Sequence, residues 1–228
     1  MRKLSVIMPV YNEARTVEEI VRRVQAAPFP LEKEILLVDD ASTDGTGPIL
    51  ERLAGGSVRV FRHAVNQGKG AAIRTAQAHV TGDLVVVQDA DLEYYPEEYG
   101  LLAQPILDGR ADIVYGTRFL GTHRVFLYWH YLGNRFLTWV TNVLYNTMLS
   151  DMETCFKMCR AEIFKSIRLE ANRFGFEPEF TAKIFKRGYK VYEVPISYNG
   201  RGYEEGKKIT WRDGIAALWV LIKFRFRD

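Results

Sequence analysis

Hydrophobic and polar positions form two alternating kinds of segment in the first half of the chain. Short apolar runs predict buried β-strands, and the stretches between them carry apolar residues at helical spacing. The predicted strands are Leu4–Pro9, Ile35–Asp39, Val58–His63, Leu84–Gln88 and Ile113–Tyr115. The predicted helices are Thr16–Ala26, Thr46–Ala54, Ala71–Val80 and Glu97–Leu107. Strands and helices in this order predict βαβ units on a parallel sheet.

The second half of the chain loses this regular alternation after Gly116. Its pattern predicts a long aromatic-rich helix, a strand, a second helix, another strand and a final amphipathic helix. These elements are Tyr128–Met148, Asp151–Met158, Gly175–Lys186, Tyr189–Val194 and Trp211–Phe226. We therefore predict one α/β domain over residues 1–210 and an amphipathic C-terminal helix over residues 211–228.

Polar residues gather where three of the predicted strands end. Tyr11–Glu13 follows the first strand, Asp39 and Asp40 end the second, and Asp89 and Asp91 follow the fourth. Parallel strands place their carboxyl ends at one edge of the sheet, where open α/β sheets bind ligands. The sequence thus predicts a ligand site at that edge.

The carboxylates of Asp89 and Asp91 are separated by a single residue. Two such groups repel each other unless a positive charge lies between them, and a hard divalent cation that also binds a diphosphate is the usual solution. The pattern therefore favours a metal and a nucleotide. An acidic helix cap or a solvated turn is the alternative interpretation.

Two further segments carry candidate ligand contacts. Asp39 or Asp40 is placed to accept hydrogen bonds from a base or ribose, whereas Asp44 fits a helix cap. Asn66–Gly70 opens a predicted helix, whose amides are available to an anion. Its Gly-x-Gly lacks the third glycine of a dinucleotide fingerprint, and no Ser or Thr follows Lys69 as a P-loop requires. We predict a structural turn for these glycines and a ligand contact for Lys69.

Two arginines are candidates for phosphate binding. Arg118 follows the fifth predicted strand, and Arg135 lies on the aromatic-rich helix. Guanidinium groups bind phosphate oxygens bidentately, so two of them on different elements can clamp one phosphate. A surface ion pair is the alternative for either arginine alone.

Composition narrows the class of protein. The chain has 228 residues, of which 47% are hydrophobic and 26% charged, as in an ordinary globular protein. The net charge of +3 does not predict nucleic-acid binding, although basic residues concentrate near the C-terminus. Cys155 and Cys159 match neither a redox pair nor a zinc site, which favours a reducing compartment. The N-terminal apolar run is too short for a signal peptide, and Ile215–Ile222 is too short to span a bilayer.

Four motifs together resemble a known family. Their order and spacing are similar to those of family 2 glycosyltransferases, and they are Pro9–Glu13, Val38–Thr46, Asn66–Gly70 and Asp89–Glu93. Four later segments resemble the dolichyl-phosphate (polyprenyl-phosphate) mannose synthase branch, namely Gly116–Arg118, Gly133–Arg135, Asp151–Lys157 and Arg201–Lys208. The resemblance covers essentially the whole chain. It implies a type A glycosyltransferase fold, a Rossmann-like, mostly parallel sheet with flanking helices.

The resemblance also implies roles for individual residues. The expected nucleotide-sugar contacts are Pro9, Tyr11, Glu13, Val38, Asp39, Asp40, Lys69, Asp89, Ala90 and Asp91. The expected ligands of Mg²⁺ or Mn²⁺ are Asp89, Asp91 and Glu93, although family members often carry Gln at the position of Glu93. The expected acceptor-phosphate contacts are Arg118, Arg135, Arg201 and Lys207. Asp91, Arg118 and Arg135 are the expected catalytic residues.

The resemblance and the arginines together predict the reaction. A lipid phosphate is already anionic and needs only positioning, whereas a sugar hydroxyl must lose its proton to a base. We therefore expect inverting transfer of a hexose, mannose from GDP-mannose, to a polyprenyl (dolichyl-type) phosphate. A UDP-sugar donor and a glycan hydroxyl acceptor stay open as alternatives, the latter through Glu177 or Glu179. A non-catalytic nucleotide-sugar-binding subunit is the remaining alternative.

The predicted C-terminal helix bears on where the protein acts. Its apolar residues recur near helical spacing with Lys and Arg beside them, which fits a helix lying in a membrane interface. The same pattern fits a helix packed on the core of the domain, and the sequence leaves both interpretations open. We expect a cytoplasmic protein, peripherally associated with a membrane surface, without a nucleic-acid partner. A separate membrane-anchoring subunit stays open.

Overall fold

A computed structural model describes residues 1–125, 127–202, 204 and 211–227. Seven strands form one sheet in the order β3-β2-β1-β4-β6-β5-β7. They are β1 (Lys3–Val10), β2 (Glu32–Asp39), β3 (Val58–Arg62), β4 (Leu84–Val87), β5 (Ile113–Thr117), β6 (Lys157–Arg160) and β7 (Val191–Pro195). Strand β6 runs antiparallel to β4 and β5, and the other paired strands are parallel. The predicted mostly parallel sheet is confirmed.

Eight α-helices flank this sheet in the described part of the chain. They are α1 (Val17–Ala26), α2 (Thr46–Leu53), α3 (Lys69–Gln77), α4 (Tyr99–Leu107), α5 (Tyr128–Tyr145), α6 (Ala161–Ser166), α7 (Phe176–Lys186) and α8 (Trp211–Phe226). A 3-10 turn, Pro96–Glu98, leads into α4. Helices cover the sheet, so its central strands are buried on both faces. Their sequences are accordingly unbroken apolar runs, and every residue of Leu84–Val87 is buried.

The topology brings distant parts of the sequence to one edge of the sheet. The parallel strands β1, β2, β4, β5 and β7 all end there, so the loops that follow them are neighbours. Because β6 is antiparallel, its first residue, Lys157, lies at this same edge, paired with Tyr115 near the end of β5. The loop that precedes β6 therefore joins the predicted site.

Two sequence predictions in the second half are wrong in their bounds. The strand predicted at Asp151–Met158 begins only at Lys157, because residues 151–156 form an irregular loop whose Asp151 and Thr154 bond to the end of β5. The helix predicted to reach Met148 ends at Tyr145, since Asn146 adopts the left-handed region with φ +50°. Helix α6 was not predicted.

Helix α8 has a packed face and an exposed face. Ala217, Leu221 and Phe224 are buried, and the helix packs on α7 and α5. The Tyr145 hydroxyl of α5 donates to the Leu221 carbonyl at 2.6 Å. The predicted boundary between residues 210 and 211 borders residues outside the described part, so the division into domains stays a prediction. None of the described helices is long and apolar enough to cross a bilayer.

Candidate active site at the carboxyl edge of the sheet

Left-handed backbone turns shape the loops after three neighbouring strands. Asn12, Ala41 and Leu92 have φ values of +53°, +61° and +64°. For Ala and Leu this conformation costs roughly 1–2 kcal/mol, and such strain concentrates at functional sites. Ala41 lies between Asp40 and a serine, and Leu92 separates two carboxylates. The turns therefore fix the direction in which the acidic side chains point.

Asp39 and Asp40 have different surroundings. Asp40 accepts hydrogen bonds from the Gln67 and Gly68 amides at 2.9 and 2.6 Å, and it contacts His63 Nδ1 at 2.7 Å. Asp39 accepts one hydrogen bond, from the Ser42 amide at 2.9 Å. Its buried Oδ2 receives no hydrogen bond from any described residue, but it lies 3.3 Å from Arg62 Nε in an ion pair. Asp40 thus holds the loop before α3, and Asp39 keeps an oxygen available to a ligand.

The amides at the start of α3 are already engaged. The Gly70 and Ala71 amides donate to the carbonyls of Arg173 and Asn172 at 3.1 and 3.0 Å. A Cβ on Gly70 would lie 2.2 Å from the Ala171 carbonyl oxygen, so only glycine permits this approach. These two amides are therefore not available to an anion, and the predicted structural turn is confirmed.

Each carboxylate of the Asp89–Asp91 pair contacts a cation of the protein. Lys69 Nζ lies 2.7 Å from Asp89 Oδ1, and Arg201 Nη2 lies 2.7 Å from Asp91 Oδ2. Lys69 also contacts Glu177 Oε1 at 2.7 Å. Burial disfavours the Lys69 ammonium, but Asp89 and Glu177 outweigh this and raise its pKa well above the usual value. The two acidic side chains are thus held apart by opposite charges.

Glu93 serves mainly to position its neighbours. It accepts hydrogen bonds from the Tyr198 hydroxyl and from Arg201, whose amide and Nε lie 3.0 and 3.1 Å from Oε1. Arg201 also lies 3.5 Å from Glu13 Oε2. One guanidinium therefore ties the loop after β7 to the loops after β1 and β4. The role of Glu93 as a metal ligand stays a prediction.

Acidic groups outnumber their partners around Asp91. Burial, with the nearby carboxylates of Glu93 and Asp89, raises the pKa of Asp91 to about 8, and Arg201 opposes the shift. Within the described ranges, no group of three His, Cys, Asp or Glu side chains is arranged to hold a metal. Mg²⁺ is commonly bound by one or two carboxylates together with substrate phosphates. Asp89 and Asp91 fit that kind of site, in which the metal would bring positive charge to a diphosphate.

The predicted phosphate-binding arginines meet at one loop. Arg118 Nε and Nη2 each lie 2.7 Å from a carboxylate oxygen of Asp151, and the Arg118 amide donates to the same group at 3.1 Å. Arg135 is exposed on α5, and its Nη1 donates to the Ser150 carbonyl at 3.2 Å. The two cations therefore lie beside consecutive residues of the loop before β6. Arg118 is already paired with Asp151, and the phosphate clamp stays a prediction.

Two charged residues of the same loop region, Glu153 and Lys157, have shifted pKa values. Burial and the neighbouring Glu177 raise the pKa of Glu153 to about 8. Burial lowers the pKa of Lys157 to about 8, although Glu177 and Glu153 oppose it. Glu153 Oε1 is buried and receives no hydrogen bond from the described residues. The sequence motif contained Glu153, but its spacing gave no reason to assign it a role.

Glu177 and Glu179 differ in their contacts. Glu179 is fully buried and accepts bonds from the Glu170 and Ala171 amides at 2.8 and 2.7 Å, besides Lys183 at 2.6 Å. Glu177 contacts Lys69 near Asp89. A fully paired and buried carboxylate is a poor general base. Of the two, only Glu177 is therefore placed beside the candidate site.

The remaining predicted contacts lie around the same edge. Tyr11 is exposed, whereas Pro9 and Glu13 are partly buried after or within β1. Val38 and Ala90 are buried, which leaves their backbone for any ligand contact. Lys207 lies outside the described residues. Sequence reasoning missed Tyr198, because its partner Glu93 is 105 residues away and no local pattern links them.

Comparisons with known proteins match the sequence and the fold. Residues 5–168 match the family model described as glycosyl transferase family 2. Over 210 residues the chain is 30% identical to a dolichol-phosphate mannosyltransferase of Pyrococcus furiosus, covering 90% of this chain and 59% of that relative. The chain thus spans less than two thirds of the length of this relative.

Solved structures share the same architecture. Glucosyl-3-phosphoglycerate synthase of Mycobacterium tuberculosis with Mn²⁺, UDP and phosphoglyceric acid matches with a TM-score of 0.78 at 20% identity, covering 99% of this chain and 79% of that one. A complex of that enzyme with Mg²⁺ and UDP gives 0.76 at 22% identity, covering 98% and 79%. The fold is therefore the type A glycosyltransferase fold. Since the family model spans most of a chain whose motifs meet at one edge of this fold, the chain belongs to glycosyl transferase family 2.

Proposed function

We propose that this chain transfers a hexose from a nucleoside-diphosphate donor to a polyprenyl phosphate, with mannose from GDP-mannose as the favoured donor. The proposal rests on the positions of Arg118 and Arg135, which contact Asp151 and Ser150 in the loop before β6, at the same sheet edge as Asp89. Two guanidinium groups at this point suit an anionic acceptor. The name of the Pyrococcus relative supports a dolichol-phosphate acceptor.

The chain's own groups supply most of what the transfer needs. Asp39 offers a buried oxygen to the nucleoside, and Lys69 neutralises charge beside the diphosphate. Asp89 and Asp91 would hold Mg²⁺ or Mn²⁺, which supplies further positive charge to the leaving group. Arg118 and Arg135 would orient the acceptor phosphate opposite the diphosphate.

The bond changes of this reaction balance without a base. A phosphate oxygen of the acceptor forms the new bond to the anomeric carbon as the bond from that carbon to the diphosphate oxygen breaks. The electron pair leaves with the nucleoside diphosphate, and the configuration inverts. Because the acceptor is ionised at neutral pH, no proton has to be removed, so the paired state of Glu179 is no obstacle.

A second candidate function is transfer from a UDP-sugar to a hydroxyl group. Glu177, beside Lys69 and Asp89, is the observation that favours it, because a hydroxyl acceptor needs a carboxylate base. The Mycobacterium neighbours, whose complexes contain UDP, are compatible with such a donor. A UDP-sugar with a lipid phosphate acceptor combines the two candidates.

An exposed aromatic surface suits an acceptor that resides in a membrane. All four tryptophans lie on α5 or α8, and Trp129, Trp139, Trp211 and Trp219 are 79%, 61%, 72% and 65% exposed. Exposed aromatic groups with basic residues beside them are typical of helices in a bilayer interface. Arg135 lies on α5 too, so a lipid phosphate would enter from this surface. We include peripheral binding to a cytoplasmic membrane face in the proposal.

The acceptor and donor can be tested together. The purified chain, with Mg²⁺ or Mn²⁺, is incubated with a short polyprenyl phosphate and a panel of labelled GDP- and UDP-sugars. We expect one labelled lipid, formed from GDP-mannose. Transfer only to a soluble glycan hydroxyl would overturn the acceptor proposal, and a lipid product formed only from a UDP-sugar would correct the donor.

The membrane surface has its own test, by flotation with vesicles that contain anionic lipid. Replacing Trp129 and Trp219 by serine should weaken vesicle binding about tenfold or more, because two large apolar groups are lost. Leu101→Ser is the matched control, since Leu101 is 51% exposed on α4, away from both helices. Equal vesicle binding by the wild type and the double variant would contradict the membrane proposal.

A further inference from the structure

Glu153 has a carboxyl oxygen without a hydrogen-bond partner in the described part of the chain. Its Oε1 is buried and unpaired, and the residue as a whole is partly buried. Leaving a buried polar oxygen unpaired costs roughly 1–3 kcal/mol, and native proteins keep few such groups without a reason. A missing ligand is one such reason.

The backbone around Glu153 is held in place. Lys157 Nζ donates to the carbonyl oxygens of Met152, at 2.8 Å, and of Thr154, the residues on either side of Glu153. The Thr154 hydroxyl donates to the Gly116 carbonyl at 2.6 Å. The backbone on both sides of Glu153 is therefore fixed, which preorganises its carboxyl group for something that binds there.

The loop that carries Glu153 connects the two halves of the proposed site, since Asp151 pairs with Arg118 and Cys155 Sγ donates to the Val87 carbonyl at 3.6 Å, two residues before Asp89. The charges that act on its carboxyl group include those of Glu177 and Arg118. Glu177 is linked through Lys69 to Asp89, where the diphosphate is proposed to bind. Arg118 is on the acceptor side, paired with Asp151. In an in-line transfer, the group that lies between diphosphate and acceptor phosphate is the sugar ring.

The chemistry of the carboxyl group selects among ligands. Phosphates are disfavoured beside Glu153 and Glu177, because two neighbouring acidic groups face them, while Lys69 and Arg118 serve phosphates on either side. A metal is disfavoured at this point because the phosphates that would have to complete its coordination shell are themselves disfavoured here. Sugar hydroxyls remain, and carboxyl groups bind them well through one or two hydrogen bonds.

We propose that Glu153 binds a hydroxyl group of the donor hexose and thereby contributes to selection of the sugar. This inference rests on the proposed function, since it assumes a nucleoside-diphosphate hexose in the site. The loop before β6 would then bind the sugar, besides pairing Asp151 with Arg118 and accepting a hydrogen bond from Arg135 at Ser150. The acidic partner nearby, Glu177, would border the same ring.

The test compares sugar nucleotides with the nucleotide alone. Calorimetry measures Kd for GDP-mannose and GDP, and for UDP-glucose and UDP, with the wild type, Glu153→Ala and Glu153→Gln. For the donor that the wild type uses, Glu153→Ala should raise Kd about 10- to 100-fold, because the buried sugar hydroxyl would lose its hydrogen-bond partner. Kd for the nucleoside diphosphate should stay the same. Glu162→Gln, an exposed carboxylate on α6, is the matched control.

A series of monodeoxy donors identifies the hydroxyl group. With the wild type, one deoxy donor should bind more weakly than the parent donor. With Glu153→Ala, the same deoxy donor and the parent donor should bind with equal affinity, because the variant already lacks the contact that the missing hydroxyl would make. The melting temperature of Glu153→Ala should equal or exceed that of the wild type, because an unpaired buried group is removed. A structural role would lower it.

Three results would overturn the inference. These are equal losses of affinity for the sugar nucleotide and the nucleoside diphosphate, a lower melting temperature of both variants, or a lower turnover with unchanged donor affinity. The last would indicate contact with the acceptor. If the wild type transfers a hexose while Glu153→Ala binds every donor normally, only this inference fails. If the wild type neither binds nor transfers any sugar, the proposed function fails and the inference falls with it.

Discussion

The two ends of the central strands carry buried carboxylates in opposite situations. At the amino end, Glu34 of β2 accepts bonds from the Ser5 hydroxyl at 2.5 Å and from the Thr81 and Gly82 amides at 2.7 and 3.1 Å. Lys3 Nζ lies 3.1 Å from its other oxygen. At the carboxyl end, Asp91 lies among other acids, and Glu153 has an unpaired buried oxygen.

The pKa values follow these surroundings. Burial alone would raise the pKa of Glu34, but hydrogen bonds from Ser5, Thr81 and Lys3 outweigh it and lower the value to about 2. Burial and neighbouring acids raise the pKa of Asp91 and of Glu153 to about 8. Burial acts to raise all three pKa values, so the balance between neighbouring donors and neighbouring acids decides the direction of the shift. A satisfied carboxylate stabilises the fold, and an unsatisfied one marks a place for a ligand.

The largest expected effect concerns the unsatisfied end. Asp91→Ala should reduce metal-dependent turnover about a thousandfold, because the charge that offsets the leaving diphosphate can no longer be held there. The melting temperature should change by no more than about 2 °C, since the variant also relieves repulsion from Glu93 and Asp89. Turnover with labelled donor and a thermal melt measure the two quantities. Unchanged turnover would show that Asp91 does not bind the metal. Glu162→Gln is the control and should behave as the wild type.

Substitution of Glu34, at the amino end of the strands, should lower stability and leave turnover unchanged. Glu34→Ala leaves buried donors of Ser5, Thr81 and Gly82 without their acceptor, so we expect a loss of about 3 kcal/mol in the free energy of unfolding. Turnover per folded molecule should not change, because Glu34 lies at the opposite edge of the sheet. Urea unfolding at neutral pH measures the loss. A loss below about 1 kcal/mol would show that these bonds do not stabilise the fold.

The satisfied end should also respond to acid. The pKa of Glu34 is lowered from 4.5 to about 2 in the folded chain, so its contribution to stability is present above pH 4.5 and is lost as the pH falls towards 2. The wild type should therefore exceed Glu34→Gln in stability at pH 6, and this difference should shrink progressively through that window. Urea unfolding of both proteins over this pH range measures it. A difference that does not depend on pH would contradict the assigned pKa.

Much of the carboxyl-edge site was predictable because its residues follow apolar runs. Asp39, Asp89 and Asp91 end strands whose burial is evident from composition, and parallel topology then brings them together. Arg118 follows β5 for the same reason. The first five predicted strands all have counterparts in the structure, with bounds that differ by a few residues.

Other parts depend on contacts that no local pattern reveals. Arg201 reaches Asp91 across 110 residues, and Tyr198 reaches Glu93 across 105. Glu34 lay just before the predicted strand, where an acidic residue is expected to be exposed, and its donors come from β1 and the turn before β4. The loop at residues 151–156 resembled a strand in composition, but its side chains bond to β5 instead of extending a ladder.

The smallest expected effect tests whether the satisfied network is shared among its donors. Ser5→Ala removes the hydroxyl that donates to Glu34 at 2.5 Å and accepts from the Gly82 amide at 2.9 Å. Glu34 keeps the Thr81 amide, and Gly82 keeps its 3.1 Å bond to Glu34, so no buried group becomes fully unpaired. We expect a loss of about 1 kcal/mol in urea unfolding. A loss as large as that of Glu34→Ala would mean that the Ser5 hydroxyl alone holds the network. The proposed contrast between Glu34, which has several donors, and Asp91, which lies among other acids, would then fail.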